Sequence, residues 1–199
     1  MSYNVAVVGA TGAVGREMLQ TLFERKFPIK NIYALASRSS VGKEVSFGDD
    51  KILKVSSVDD FNFEKADIAL FSAGSDIAKK FGPKAGVKGC IVIDNSSCFR
   101  MDDKVPLIVP EVNNGHLKLT DSQTEYEGGM LVSCSNCMVV PLAISLAPLI
   151  RSLPVDSVKI TTEQSLSGGG RKTLENSRKG NFPNTSIPGE SISVESELK

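Results

Sequence analysis

The chain has 199 residues, of which 41% are apolar and 23% charged, a balance typical of a protein that folds around a buried core. Basic and acidic residues number 23 each and form no long run of one sign, so we expect neither nucleic acid nor a membrane surface as a partner. The sequence contains no secretory signal pattern and no apolar run of about 18 residues, which predicts a cytoplasmic location. A small molecule is the expected partner.

Short apolar strands alternate with amphipathic helices through residues 1–150, a pattern that indicates an α/β fold with a parallel sheet and crossover helices. The predicted strands are 4–8, 31–36, 67–71, 90–93, 107–109, 130–133 and 155–163, with 45–47 and 52–55 as a hairpin or third strand. The predicted helices are 13–27, 75–88 with Ser75 as the cap, and 139–150 with Pro141 in the first turn.

The most informative local pattern is glycine-rich and lies between the first strand and the first helix. Residues 9–15 read GATGAVG, so that Gly9, Gly12 and Gly15 recur at every third position. Glycines at a helix N-terminus let the backbone approach a pyrophosphate, which the free N–H groups and the helix dipole then bind. The turn therefore predicts a dinucleotide site, although a tight strand-to-helix turn without a ligand is the alternative.

The second strand is followed by the segment Ser37-Arg38-Ser39-Ser40. Sheets that bind NAD usually carry an acidic residue about twenty residues after the glycine turn, where it accepts hydrogen bonds from the ribose. An arginine flanked by hydroxyls suits a 2′-phosphate instead, so Arg38 and Ser39 predict NADP. A polar loop with a solvated arginine is the other interpretation.

Four cysteines in a chain assigned to the cytosol are expected to be thiols. Cys134 and Cys137 have C-x-x-C spacing before a predicted helix, where the helix dipole lowers the pKa of a thiol. This arrangement fits a catalytic nucleophile or a redox dithiol, and the spacing alone does not separate the two. Zinc is disfavoured because two further ligands at recognisable spacing are missing. Cys90 and also Cys134 can equally be buried structural thiols.

Two further polar segments follow predicted strands, at the edge where open α/β sheets bind ligands. Arg100 closes the run Asp94-Asn95-Ser96-Ser97-Cys98-Phe99-Arg100, and its planar guanidinium can clamp a phosphate or carboxylate. The second segment, 164–170, combines the amide of Gln164 with three glycines. The alternatives are a solvated loop arginine and a flexible turn.

Taken in order, these pieces resemble the aspartate-semialdehyde dehydrogenase family over nearly the whole chain. The matching blocks are VVGATGAVG at 7–15, DNSSCFR at 94–100, VPEVN at 109–113 and SNC at 135–137, followed by Gln164 and by Ser167-Gly168. The combination is far more specific than any one block.

The resemblance implies a Rossmann-type doubly wound parallel sheet over 1–133, which binds NADP. Residues 134–199 are then the incomplete N-terminal part of an α+β catalytic and dimerisation domain. It also implies a homodimer in the full-length form. The reaction implied is the NADPH-dependent interconversion of L-aspartyl 4-phosphate and L-aspartate 4-semialdehyde, with phosphate as the second product, on the route to lysine, methionine and threonine.

The resemblance further assigns roles to particular residues. Cys137 is the nucleophile that forms a thioacyl intermediate, which hydride from NADPH reduces. Arg100 holds the phosphate and Gln164 positions the substrate. The implied NADP contacts are Thr11, Gly12, Ala13, Val14, Arg38, Ser39, Ser167 and Gly168. No metal is implied.

The chain also departs from the family pattern. Ser135 replaces the proline that commonly precedes Asn-Cys, and Met138 replaces a small hydroxyl residue. The family's acid/base histidine and carboxylate-binding arginine lie beyond Gln164, in sequence that these 199 residues do not contain, and His116 matches neither. A catalytically inactive nucleotide-binding remnant is therefore one alternative function. A relative of the N-acetyl-glutamyl-phosphate reductases, which share the glycine turn and a nucleophilic cysteine, is another.

Overall fold

The computed structural model describes residues 1–163, 165–166, 170–181 and 190–198. Nine strands are found in this part of the chain: β1 (Tyr3–Val8), β2 (Ile29–Ala36), β3 (Glu44–Phe47), β4 (Lys51–Lys54), β5 (Ser56–Ser57), β6 (Ile68–Phe71), β7 (Ile91–Asp94), β8 (Leu107–Ile108) and β9 (Met130–Cys134). Six helices accompany them: α1 (Ala13–Glu24), α2 (Ser75–Val87), α3 (Pro110–Asn113), α4 (Val139–Ser152), α5 (Gly170–Arg178) and α6 (Glu190–Leu198).

Seven of these strands form one sheet in the order β5-β2-β1-β6-β7-β9-β8, and every neighbouring pair is parallel. From β1 the chain first moves outward to β2 and β5, and then returns to place β6 on the other side of β1. The junction of β1 and β6 is therefore a topological switch point, where parallel sheets leave a crevice at the carboxyl ends of their strands.

The sheet is covered on both faces. Alternate residues of β1 belong to two separate cores, of which one contains Leu19 of α1 and the other contains Phe81 of α2. All four residues at 5–8 are fully buried, which explains why the strand reads as a continuous apolar run rather than as an alternation. The predicted α/β class and doubly wound parallel sheet are confirmed.

Strands β3 and β4 pair with each other in antiparallel register and form the predicted hairpin around Gly48. The prediction of a strand at 155–163 was wrong. This segment forms no strand and is exposed along nearly all of its length, and no strand among the described residues pairs with it to complete a ladder. The cap of α2 is Gly74 rather than Ser75, whose hydroxyl instead lies 3.1 Å from that of Ser97.

In the described part of the chain, no helix combines the length and the hydropathy that a membrane crossing requires.

Candidate cofactor and catalytic site

A cleft of about 250 Å³ lies at the switch point, beside the carboxyl ends of β1, β2 and β6. Its walls are formed by the last residues of β1 and β2, by the segments that follow β1, β2, β5 and β6, and by one residue of α2. The lining residues are Val8, Gly9, Thr11, Gly12, Ala36, Ser37, Val58, Ser72, Ala73 and Ile77. Thr11 and Gly12 are thus located at the sheet edge where a dinucleotide was predicted.

The glycine turn brings the backbone of β1 against the loop that follows β6. Gly9 has a φ of +93°, and a Cβ placed on it would lie 2.8 Å from the carbonyl carbon of Ser72. A Cβ on Gly15 would lie 2.8 Å from the carbonyl carbon of Gly9, so the helix can approach the strand this closely only without a side chain there. The two glycines therefore make the turn tight and leave its backbone open to a ligand.

Helix α1 begins at Ala13 with Gly12 as its cap, and no acidic residue occupies its first turn. The turn closes on itself through the Gly12 N–H, which donates to the carbonyl of Gly9 at 2.9 Å. Ala13 and Val14 supply the first helical N–H groups, where the positive end of the helix dipole favours an anion. This helix end, beside a cleft lined by Gly9 and Gly12, fits the pyrophosphate of a nicotinamide dinucleotide.

Arg38 and Ser39 lie in a short 3-10 turn that follows β2 directly. The side chain of Arg38 is 73% exposed, and its Nη2 lies 3.1 Å from Oδ1 of Asp60, which is also largely exposed. Solvent-exposed ion pairs of this kind are weak, so the guanidinium can exchange Asp60 for an incoming phosphate. The Ser39 hydroxyl lies 3.0 Å from that of Ser37, which lines the cleft.

Cys137 occupies a turn between β9 and α4. Asn136 builds this turn: its Oδ1 accepts from the Met138 N–H at 2.8 Å and its carbonyl accepts from the Val139 N–H at 2.8 Å. Because α4 begins at Val139, Cys137 lies just before the helix, which is the position that the predicted helix at 139–150 gave it. The turn leaves Cys137 exposed.

The other cysteines have environments that suppress their reactivity. Burial raises the pKa of the Cys90 thiol to about 12, and its Sγ donates to the carbonyl oxygens of Phe63 and Ala66. Burial also raises the pKa of Cys134, as does the nearby Asp94, while Arg100 lowers it. Burial likewise raises the pKa of Cys98. All four cysteines lie in the described part of the chain and none forms a disulfide.

We therefore expect the thiols to react with iodoacetamide in a fixed order at neutral pH. Cys137 should be alkylated first because it is exposed, Cys98 and Cys134 more slowly, and Cys90 only after the protein unfolds. Peptide mass spectrometry after timed quenching gives the order. Alkylation of Cys134 at the rate of Cys137 would contradict this account and would restore the dithiol interpretation.

Arg100 lies against the segment that carries Cys137. Its Nε donates to the carbonyl of Cys134 at 3.1 Å, and its Nη1 donates to Oε1 of Glu197 in α6 at 3.2 Å. Oε2 of Glu197 accepts from the Asn136 N–H at 2.6 Å. Arg100 is thus not the solvated loop residue of the alternative prediction. Glu197 was missed because it lies 97 positions away, in a segment without any matching motif.

Asp94 sets the path of the loop that leads to Arg100. Its carboxylate is buried and accepts hydrogen bonds from the Ser96 N–H at 3.0 Å and from the Ser96 hydroxyl at 2.7 Å. The Ser96 hydroxyl oxygen in turn accepts from the Cys98 N–H at 3.1 Å. Burial raises the pKa of Asp94, although the bonds from Ser96 oppose this shift. These contacts fix successive loop residues and so direct Arg100 toward β9.

Three further site residues were predicted from the sequence, and one histidine was set aside. Gln164, Ser167 and Gly168 lie outside the described residues. The ring Nδ1 of His116 lies 3.2 Å from the side-chain amide nitrogen of Asn113, on an exposed turn. No cluster of His, Cys, Asp or Glu that could hold a metal ion occurs among the residues that the structure describes.

The parallel sheet, with its cleft at the switch point, defines a Rossmann-like fold of the class that binds dinucleotides. The family model described as semialdehyde dehydrogenase, NAD binding domain, matches residues 4–120. Together with the relatives below, this match shows that the chain belongs to the aspartate-semialdehyde dehydrogenase family.

Two relatives and two solved structures illustrate the similarity. An aspartate-semialdehyde dehydrogenase from Rickettsia bellii is 50% identical over 87% of this chain and 49% of its own length. The enzyme from Legionella pneumophila is 43% identical over 86% of this chain and 47% of its own length. The chain therefore spans about half the length of the curated relatives it matches.

Among solved structures, aspartate semialdehyde dehydrogenase II from Vibrio cholerae complexed with ASA aligns with a TM-score of 0.82 and 34% identity. The alignment covers 94% of this chain and 55% of that one. The Candida albicans enzyme with NADP aligns with a TM-score of 0.76 and 26% identity, over 99% of this chain and 59% of that one.

Proposed function

We propose that the chain supplies the NADP site and the nucleophile of an enzyme that interconverts L-aspartyl 4-phosphate and L-aspartate 4-semialdehyde through a cysteine thioacyl intermediate. The observation that carries the proposal is the cleft at the switch point, closed by Gly9 and ending on the free N-terminus of α1. The identity to named relatives supports the choice of substrate.

The cofactor site has two parts. Thr11, Gly12, Ala13 and Val14 bind the pyrophosphate through backbone N–H groups, and Arg38 and Ser39 bind the ribose 2′-phosphate. Ser167 and Gly168 belong to the same proposed site by resemblance. When bound, the nicotinamide supplies or accepts the hydride. The protein residues hold it at the sheet edge and leave Cys137 on the substrate side.

The proposed chemistry is centred on Cys137. In the biosynthetic direction its thiolate attacks the acyl carbon of the aspartyl phosphate, the carbon–oxygen bond to phosphate breaks, and a thioester forms on Sγ. Arg100 binds the leaving phosphate through its guanidinium, and Gln164 positions the substrate. Asn136 places the thiol through the turn that it builds before α4.

The proposed setting follows the same family. We assign residues 1–133 to the NADP-binding domain and 134–199 to the first part of a catalytic and dimerisation domain that is completed elsewhere. A homodimer, a cytoplasmic location and a role in lysine, methionine and threonine biosynthesis complete the proposal. The exposed apolar residues of α4, which include Ile144, Leu149 and Ile150, support the assignment of this helix to a further interface.

Cofactor preference tests the proposal. We expect the purified chain to bind NADPH more tightly than NADH in a fluorescence titration, because Arg38 pairs with the 2′-phosphate. Arg38→Ala should weaken NADPH binding roughly ten- to a hundredfold, because it removes a charged hydrogen bond. It should leave NADH binding unchanged.

Arg25→Ala is the matched control, since Arg25 is an exposed arginine at the opposite end of α1 from the cleft. Equal affinities for the two cofactors, or an equal loss in both variants, would remove the assignment of Arg38. Absence of any binding would remove the cofactor site itself.

A further inference from the structure

The carboxylate of Glu197 is buried against the proposed substrate side of the site. Its side chain is 1% exposed and that of Arg100 is 11% exposed. One carboxylate oxygen accepts from Arg100 Nη1 and from the Ser193 hydroxyl at 2.8 Å, while the other accepts from the Asn136 N–H. A charged group from a distant helix is therefore held by the residues next to Cys137.

The donors that hold Glu197 are those that suit a small anion. A guanidinium and a backbone N–H converge on the two oxygens of one carboxylate, and a phosphate or acyl phosphate would present oxygens of the same kind. Asn136 is adjacent to Cys137 in the chain, so an anion on its N–H lies beside the nucleophile. Glu197 thus occupies the position that the proposed function gives to the substrate phosphate.

Helix α6 is short and packs on α4. It contains nine residues, a length at which an isolated helix is marginal in water. Among the α6 residues whose burial is described, Val194 is a buried apolar side chain and Ile192 is an exposed one. Releasing α6 therefore uncovers Val194 and breaks the ion pair between Glu197 and Arg100.

We propose that Glu197 is a tethered competitor for the anion site, so that a phosphate-bearing substrate binds Arg100 and the Asn136 N–H only when α6 is displaced. The proposal rests on the proposed function in one respect, the role of Arg100 in binding phosphate. Release of α6 returns the carboxylate of Glu197 to water, while the incoming anion replaces it on Arg100. The helix then acts as an autoinhibitory segment that lowers the apparent affinity for phosphate.

Inorganic phosphate is the probe, titrated calorimetrically into the full 199-residue chain. Glu197→Gln keeps the shape of the side chain and removes the charge that pairs with Arg100, so it should tighten phosphate binding by about tenfold. Glu195→Gln is the matched control, because it makes the same change at an exposed position of the same helix. It should leave phosphate binding unaltered.

Two further measurements separate competition from a simple loss of negative charge. Val194→Ala loosens α6 without changing any charge, and it should also tighten phosphate binding. In the wild type, phosphate should accelerate amide hydrogen exchange across 190–198. If Glu197 only stabilised the fold and did not compete with phosphate, exchange in this helix would not respond to phosphate.

Unchanged phosphate affinity in either Glu197→Gln or Val194→Ala, or exchange in α6 that does not respond to phosphate, would overturn the proposal. The Arg100→Gln change in the Glu197→Gln background tests the proposed function separately. If phosphate still binds to this double variant, Arg100 is not the anion site, and both the role of Arg100 and the competition fail.

Discussion

Replacing Cys137 by serine is expected to abolish the formation of NADPH from L-aspartate semialdehyde and NADP in a single-turnover experiment. A serine hydroxyl is a weak nucleophile unless a base removes its proton. The one histidine of the chain, His116, lies on a separate turn with its ring against the side chain of Asn113. Loss of a nucleophile costs roughly three to six orders of magnitude in rate.

The matched control is Cys98→Ser, which changes a half-buried thiol in the loop before Arg100. We expect this variant to retain the wild-type amplitude of the absorbance change at the NADPH wavelength. If Cys137→Ser retained that amplitude and Cys98→Ser lost it, the nucleophile would be misassigned. The comparison uses wild type and variants at equal saturation with NADP, so a difference in cofactor binding does not mimic a chemical defect.

Replacing Gly9 by alanine should eliminate measurable NADPH binding. The substitution combines a left-handed backbone, which costs about 1–2 kcal/mol in any residue with a Cβ, with a contact to the backbone of Ser72 that no side-chain rotation relieves. The turn must therefore shift away from the cleft that it lines. We expect at least about a hundredfold loss of affinity, together with a lower free energy of unfolding in urea.

Gly128 provides the control for backbone strain alone. It has a φ of +75°, and a Cβ placed there would meet nothing within 4 Å. Gly128→Ala should therefore lower the unfolding free energy by an amount set by the backbone strain, and leave NADPH affinity intact. An equal loss of NADPH binding in both variants would mean that global destabilisation, and not the geometry of the glycine turn, explains the effect of Gly9→Ala.

Features encoded within a short stretch of chain could be predicted from the sequence. The strand 4–8, the glycine turn and the start of α1 depend on contacts among neighbours in sequence, and they occur where the pattern indicated. The same holds for the hairpin around Gly48 and for Pro141, which lies at the third position of α4. Local geometry also made Arg38 identifiable, because it follows β2 directly.

Features that depend on distant partners could not be predicted in this way. The β-branched run at 155–163 has the composition of a strand, but strand formation needs a neighbouring backbone, and no segment in the described part of the chain pairs with it. The contact between Glu197 and Arg100 joins residues 97 positions apart, and no periodicity predicts it.

A crystal structure of the chain with NADP tests the central claim most directly. The account predicts the pyrophosphate at the N-terminus of α1, within hydrogen-bonding distance of backbone N–H groups between Thr11 and Val14. It also predicts the 2′-phosphate beside Arg38, with Asp60 displaced from the guanidinium. A pyrophosphate bound away from the glycine turn, or a 2′-phosphate with no contact to Arg38, would contradict it.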